Sequence, residues 1–183
     1  EAIADFSEAI RLDPTLFIAY GNRGLANMNN RDYDRAIADF ERAIQIEPSF
    51  AKAYSDCGKA WIGKNDLPKA VQLFEKAIHL SPRLPDPYAA LAMLQSAARD
   101  PAIRNGPKAV ENATKACELS DWQSWVPLDR LAMAYAAVAD FEAAVKWQEK
   151  AITLMNDPSD VAKGRRCLEL YRAGKPYSPP DRK

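Results

Sequence analysis

The sequence predicts an all-α protein built as a stack of antiparallel helix pairs, and three observations predict it. The stretch at 35–48, RAIADFERAIQIEP, stands once before at 1–14 as EAIADFSEAIRLDP and once after at 69–82 as KAVQLFEKAIHLSP. Equivalent positions step by 34 residues: Ala2, Ala36 and Ala70; Phe6, Phe40 and Phe74; Ala9, Ala43 and Ala77; Pro14, Pro48 and Pro82. Between the copies a second pattern keeps the same step, with Tyr20, Tyr54 and Tyr88 followed by Gly24, Gly58 and Ala92. A fixed period of this size marks stacked supersecondary units that bury their apolar faces only against one another.

The 34-residue length, the order Tyr, small residue, Ala, Phe, Ala, Pro, and the two amphipathic segments per unit together resemble the tetratricopeptide repeat family, as a bacterial-type array from Glu1 to about Asn156. The resemblance implies a right-handed α-solenoid of ten helices, the TPR superhelix. It divides the chain into a half repeat at 1–16, repeats at 17–50, 51–84, 85–124 and 125–157, a capping helix at 158–173 and an extended tail at 174–183.

The elements follow in order. Ile3, Phe6 and Ile10 form one apolar stripe on the first helix, and that stripe needs a cover. In the next unit Ile18, Tyr20, Leu25 and Met28 lie on a helix that runs out at Asn29 and Asn30. Asp32, Asp66, Asn105 and Asp140 each stand four residues before the small residue of a second helix (Ala36, Ala70, Ala109, Ala144), which is the place of an N-cap. Pro68 and Pro107 fall two residues later, in the first turn, where a missing N–H does no harm. Gly24 is expected opposite Ala36 and Gly58 opposite Ala70, so that the axes come close. Ala70 to Ala109 is 39 residues; the surplus lies in 99–107, RDPAIRNGP, whose breakers predict a lengthened turn. In the last unit Gln148 stands where Phe40 and Phe74 stand, and the neighbouring Trp147 is expected to supply the lost bulk. Asp157-Pro158-Ser159-Asp160 opens an end helix with Val161, Gly164, Leu168 and Tyr171 facing the array, stopped at Gly174 and Pro176.

Charge and cysteine usage exclude several classes. Lys plus Arg equals Asp plus Glu at 25 each, so neither nucleic acid nor an anionic membrane is favoured. The ends differ in sign: 1–50 holds nine acids and five bases, 163–183 seven bases and two acids. Cys57, Cys117 and Cys167 are odd in number and widely spaced, against a disulfide framework or zinc site and in favour of a reducing, cytoplasmic compartment. No run approaches the ~18 consecutive apolar residues of a membrane span. The chain opens inside a repeat, without an initiator Met, and is expected to be a piece of something longer.

No catalytic, metal or cofactor site emerges. His79 is the sole histidine and has no ligand at helical spacing. Cys57 stands where the repeat carries a Leu, and is expected in the core. Asp39 and Glu41 are assigned to solvent faces. The basic group Arg165, Arg166, Arg172 and Lys175 suits the polar side of a cap, and Trp122 and Trp125 are placed in the core at the entry to the last unit.

The resemblance further implies that the first helices line a concave groove holding a peptide. Carried over residue by residue, its lining here is Asn22, Leu25 and Met28; Lys52, Asp56, Lys59 and Ile62; Asp86 and Met93; Arg130 and Met133. Asn22 matches an asparagine that some members use on a peptide backbone, but Asp56, Ala90 and Arg130 take the equivalent places, so no asparagine ladder forms. The family's carboxylate clamp is absent too, since Gly21 and Leu25 replace its Lys and Asn. The function expected is a non-catalytic protein-interaction module binding a peptide or partner segment. Its rival is a self-association or regulatory C-terminal arm of a larger multidomain bacterial protein, with a homodimer formed through Ile3, Phe6 and Ile10. An independent enzyme lacks a site.

Overall fold

The computed structural model describes residues 2–178; Glu1 and the tail residues 179–183 lie outside the described residues. Ten helices and no strand occur among them: α1 (Ala2–Leu12), α2 (Phe17–Asn29), α3 (Tyr33–Ile46), α4 (Ala51–Gly63), α5 (Leu67–Leu80), α6 (Pro85–Ala97), α7 (Gly106–Leu119), α8 (Trp125–Ala137), α9 (Phe141–Thr153) and α10 (Pro158–Arg172). The chain divides into two compact units between Pro87 and Tyr88. In unit 1, α2 packs on α3 and α4 on α5, while α3 meets α4 and α1 meets α2. In unit 2, α8 packs on both α7 and α9, and α10 packs on α9.

The second helices start where a side-chain oxygen can satisfy a free N–H. Asp32, Asp66, Asn105 and Asp140 accept from the backbone N–H of Arg35, Lys69, Lys108 and Ala143 at 3.2, 3.0, 3.1 and 3.0 Å. Each such cap contributes ~1 kcal/mol. The residue before three of them is left-handed without being glycine: Arg31 (φ 61°), Asn65 (φ 65°) and Ala139 (φ 63°). The reward is a closed C-terminus on the preceding helix, because the next N–H then reaches back five residues: Asp32 to Asn27 O at 2.9 Å, Asp66 to Trp61 O and Asp140 to Tyr135 O at 3.0 Å. One short turn thus ends one helix and starts its partner antiparallel to it. Between α6 and α7 the chain runs non-helically from Ala98 to Asn105, around Asp100, whose carboxylate accepts from Ala102 N–H at 2.8 Å; the Asn105 N–H then donates to Gln95 O at 2.8 Å.

Packing within a pair brings a ring as well as a small residue to each glycine. A Cβ on Gly24 would lie 2.8 Å from Cε1 of Phe40, and one on Gly58 2.8 Å from Cε1 of Phe74. The nearest neighbours of the glycines are therefore aromatic rings, because the ring of the second helix reaches across one turn to the first. Phe40, Phe74, Ala36 and Ala70 are all fully buried. In unit 2 the equivalent pairs are Ala92 with Ala113, and Ala132 with Gln148: where the first helix regains a methyl, the second loses its ring. Gln148 itself fills the buried place, donating from Nε2 to Asp129 Oδ1 at 3.1 Å. Trp147 stays half-buried beside it, packs against the cluster of Ala132, Ala136, Ala144 and Tyr171, and stacks on Trp122, with ring centroids 5.0 Å apart. At the end of unit 2, α10 turns Gly164, Leu168 and Tyr171 inward.

Gly58→Ala should therefore destabilise the protein despite a ~1 kcal/mol gain in helix propensity, because a methyl against the buried Phe74 ring overpacks the pair by ~1–3 kcal/mol. Ala70→Leu should cost ~1–3 kcal/mol for the same reason, and the exposed Glu75→Ala should stay within about 0.5 kcal/mol of wild type. Denaturant midpoints test the set. Gly58→Ala/Phe74→Leu should recover stability relative to Gly58→Ala, and a double variant weaker than both singles contradicts the assigned contact.

Candidate functional site

The first helices of unit 1 carry a row of charges that the tertiary structure has already paired. Asp56 on α4 is only 2% exposed. Burial of an unpaired carboxylate is costly, and here two ammonium groups prevent it: Lys52 Nζ reaches Asp56 Oδ2 at 3.0 Å and Lys59 Nζ reaches Oδ1 at 3.0 Å. Helical spacing explains both contacts, since 52, 56 and 59 share one face. Lys59 also crosses to Asp86 Oδ2 at 2.9 Å. Burial would pull the Lys59 pKa down, but the two aspartates outweigh it and leave it above the ordinary lysine value. Left facing solvent on these helices are the outer side of two lysines, the exposed carboxylate of Asp86, and the exposed amide of Asn22 on α2.

The other expected lining residues divide. Leu25 and Met28 pack against the core of Ala36, Ile37, Phe40, Cys57 and Ala60, so much of their apolar surface is spent there. Ile62 is half-buried. In unit 2, Met93 and Arg130 are half-buried, and Arg130 Nη1 lies 2.9 Å from Asp129 Oδ2. Met133 departs from expectation: it is 5% exposed, because α8 is buried along most of its length. Ile3, Phe6 and Ile10 are half-buried against α2.

A further network was missed at the sequence level. Asp39, assigned to a solvent face, is 6% exposed and takes Arg23 Nη2 at 2.7 Å, Arg23 Nε at 3.0 Å and Asn27 Nδ2 at 3.0 Å. Arg23 Nη1 continues to Ser7 Oγ at 3.1 Å, and Ser7 donates to Ile3 O at 2.7 Å, tying α1 to the pair. A cleft of about 470 Å³ opens beside it, lined by Ser7, Arg23, Asn27 and Arg35 among others. The signal was present in the repeat itself: the column Arg23, Cys57, Leu91, Leu131 is apolar except at its first member, and the column Asp39, Leu73, Asn112, Trp147 pairs with it.

Chemistry of other kinds finds no assembly. Among the described residues no three His, Cys, Asp or Glu side chains converge as a metal site. All three cysteines are free, and burial pushes the Cys57 and Cys117 thiols up to about 12, far from thiolate reactivity. His79, Arg165, Arg166 and Arg172 are exposed; Arg172 holds Glu149 at 2.6 Å. No helix among the described residues is long and apolar enough to cross a membrane.

Lys59→Met should cost ~1–3 kcal/mol by leaving the buried Asp56 with one partner. Because the folded pKa of Lys59 is raised, its contribution is complete below the ordinary lysine value of 10.5 and fades as pH rises through the raised value. Thermal midpoints of wild type and Lys59→Met should thus differ by a constant amount near neutrality and converge only at strongly alkaline pH. Convergence already near pH 8 would contradict the bridge.

Comparison with known proteins adds two family matches, both described as tetratricopeptide repeat, at residues 17–50 and 128–156. No curated protein sequence matches the chain. Solved structures resemble it at low identity. YrrB, described as a TPR protein with an unusual peptide-binding site, shares 19% identity over 92% of this chain and 84% of its own, with a TM-score of 0.65. MamA from Desulfovibrio magneticus RS-1, from residue 41 to its end, shares 19% over 83% and 82%, with a TM-score of 0.66. A chain of the APC/C hetero-tetramer Cut9–Hcn1 shares 16% over 92% of this chain and 34% of its own, with a TM-score of 0.75. Such identities speak for the fold alone. Two stretches of the chain, 17–50 and 128–156, are thus tetratricopeptide repeats, carried by helix pairs and by a 34-residue period.

Proposed function

We propose that this chain is a non-catalytic protein-interaction module that holds a peptide segment of a partner on the face of its first helices. The observation that carries the reading is the Lys52–Asp56–Lys59–Asp86 row. Lysines anchored on a buried aspartate are oriented before a ligand arrives, which lowers the ordering cost of binding. Since the row is internally neutral, a strongly acidic tail gains little from it. A segment with charges of both signs in a fixed register gains more, with its backbone on Asn22 and apolar side chains against Ile18 and Ile62. Met93 and Arg130 are the corresponding contacts in unit 2. YrrB's description as a peptide binder supports the same reading, and three free thiols suit a reducing cytoplasm.

A peptide library screened against wild type and Asn22→Ala/Lys52→Ala tests it. Both residues are exposed; losing Lys52 leaves Asp56 with one partner and should lower the thermal midpoint as Lys59→Met does, so affinity is read well below that midpoint, where selected peptides should bind about tenfold or more weakly. Peptides that bind both proteins equally would place the working surface elsewhere.

Self-association is favoured as a second reading by one specific observation. Leu12, Leu16 and Ile18 are 71%, 38% and 50% exposed, and all stand at the α1–α2 turn. Clustered exposed apolar side chains tend to find partners. The half-buried stripe Ile3, Phe6 and Ile10 lies on the same helix as Leu12. Sedimentation should show a concentration-dependent dimer that Leu12→Glu weakens. Strict monomers at high concentration would eliminate this reading and leave the peptide reading intact.

A further inference from the structure

We propose that the stacked Trp122–Trp147 pair in unit 2, with the two lysines lying over it, is a second docking site, separate from the first-helix face, for a partner segment rich in glutamate or aspartate. Trp122 follows α7 in a turn where two successive residues are left-handed, Asp121 (φ 51°) and Trp122 itself (φ 58°), and its N–H donates to Cys117 O at 2.9 Å. That backbone is unfavourable for a bulky residue. It delivers the indole onto Trp147 of α9, with centroids 5.0 Å apart and planes 27° from parallel. Both rings stay half-exposed.

Two cations sit on this platform. Lys150 Nζ lies 5.6 Å from the Trp122 centroid and 5.5 Å from that of Trp147, and Lys146 Nζ lies 5.2 Å from Trp147. These distances are within cation–π range, and positions 146 and 150 are neighbours on one helix face. Neither lysine makes an ion pair among the described residues. The acids in helical reach are engaged elsewhere or stand apart: Glu149 holds Arg172 at 2.6 Å, Glu118 holds Lys115 at 3.2 Å, and neither Glu142 nor Asp121 pairs with a lysine here.

Each ammonium therefore keeps its N–H donors for a ligand, and the ring faces restrain the two long side chains, so less rotamer freedom is lost when one binds. A carboxylate accepting from both would form charge-assisted hydrogen bonds beside indoles that exclude part of the surrounding water. The complementary partner is thus acidic, and its binding should depend on ionic strength.

Titration of the full chain with hexaglutamate, followed by tryptophan emission, tests the site. Wild type should show a saturable change that weakens with added salt. Lys146→Met/Lys150→Met keeps aliphatic cover over the rings and should keep the thermal midpoint, while binding falls about tenfold or more. Lys146→Arg/Lys150→Arg should retain it. The proposal is overturned by an absent or non-saturable response in wild type, by equal affinity in the methionine variant, or by a stronger response to oligothymidylate than to hexaglutamate. Asn22→Ala/Lys52→Ala should leave this titration unchanged, which separates its failure from failure of the first-helix face.

Discussion

Phe40 and Phe74 reach full burial because the facing first helices carry Gly24 and Gly58, where a single methyl would come within 2.8 Å of the ring. On that contact between ring and bare backbone rest the other features of the pairs. It sets how closely the two helices approach, and the fully buried Ala36 and Ala70 lie in the resulting contact. Interiors packed to crystal density tolerate little change of volume, so the pairs vary by exchange across the interface. Where unit 2 restores a methyl at Ala92 and Ala132, its second helices give up the ring for Ala113 and Gln148.

Exchange of volume also introduces polarity. Among the described residues three aspartates are buried: Asp39, Asp56 and Asp129. Each is held by a cation and a further donor, Arg23 with Asn27, Lys59 with Lys52, and Arg130 with Gln148. Leaving any of them alone would cost several kcal/mol, so partner and aspartate are fixed together. The consequence differs with position. Around Asp39 the network ties α1 to its neighbours, around Asp56 it fixes two lysines on the first-helix face, and around Asp129 it fills the place of a lost aromatic ring.

Residue type and period indicated which residues lie on the first helices but not which of them pair internally, and the departures have a common cause. Asn22, Lys52, Lys59 and Asp86 were expected on one face because the family resemblance was carried over position by position. Asp39 was assigned to solvent because local periodicity sees only its own helix, and the guanidinium that buries it comes from sixteen residues earlier. Met133 was placed on a binding face by the family resemblance, whereas α8 has neighbours on both sides and buries it. The pairing of Trp147 with Trp122 depended on two left-handed residues that no apolar pattern announces.

The sequence by itself determined that the chain is a helical repeat and where its second helices begin. These follow from short-range rules, since a 34-residue period, an Asp or Asn at the cap and a Pro in the first turn act within a few residues of themselves. Only the tertiary structure decided what each small residue makes room for, which acids are spent on internal pairs, and which lysines remain without a partner. Those outcomes are set by side chains brought together from different helices, and the free energy of burying a charge or a ring is fixed by neighbours that sequence spacing does not specify.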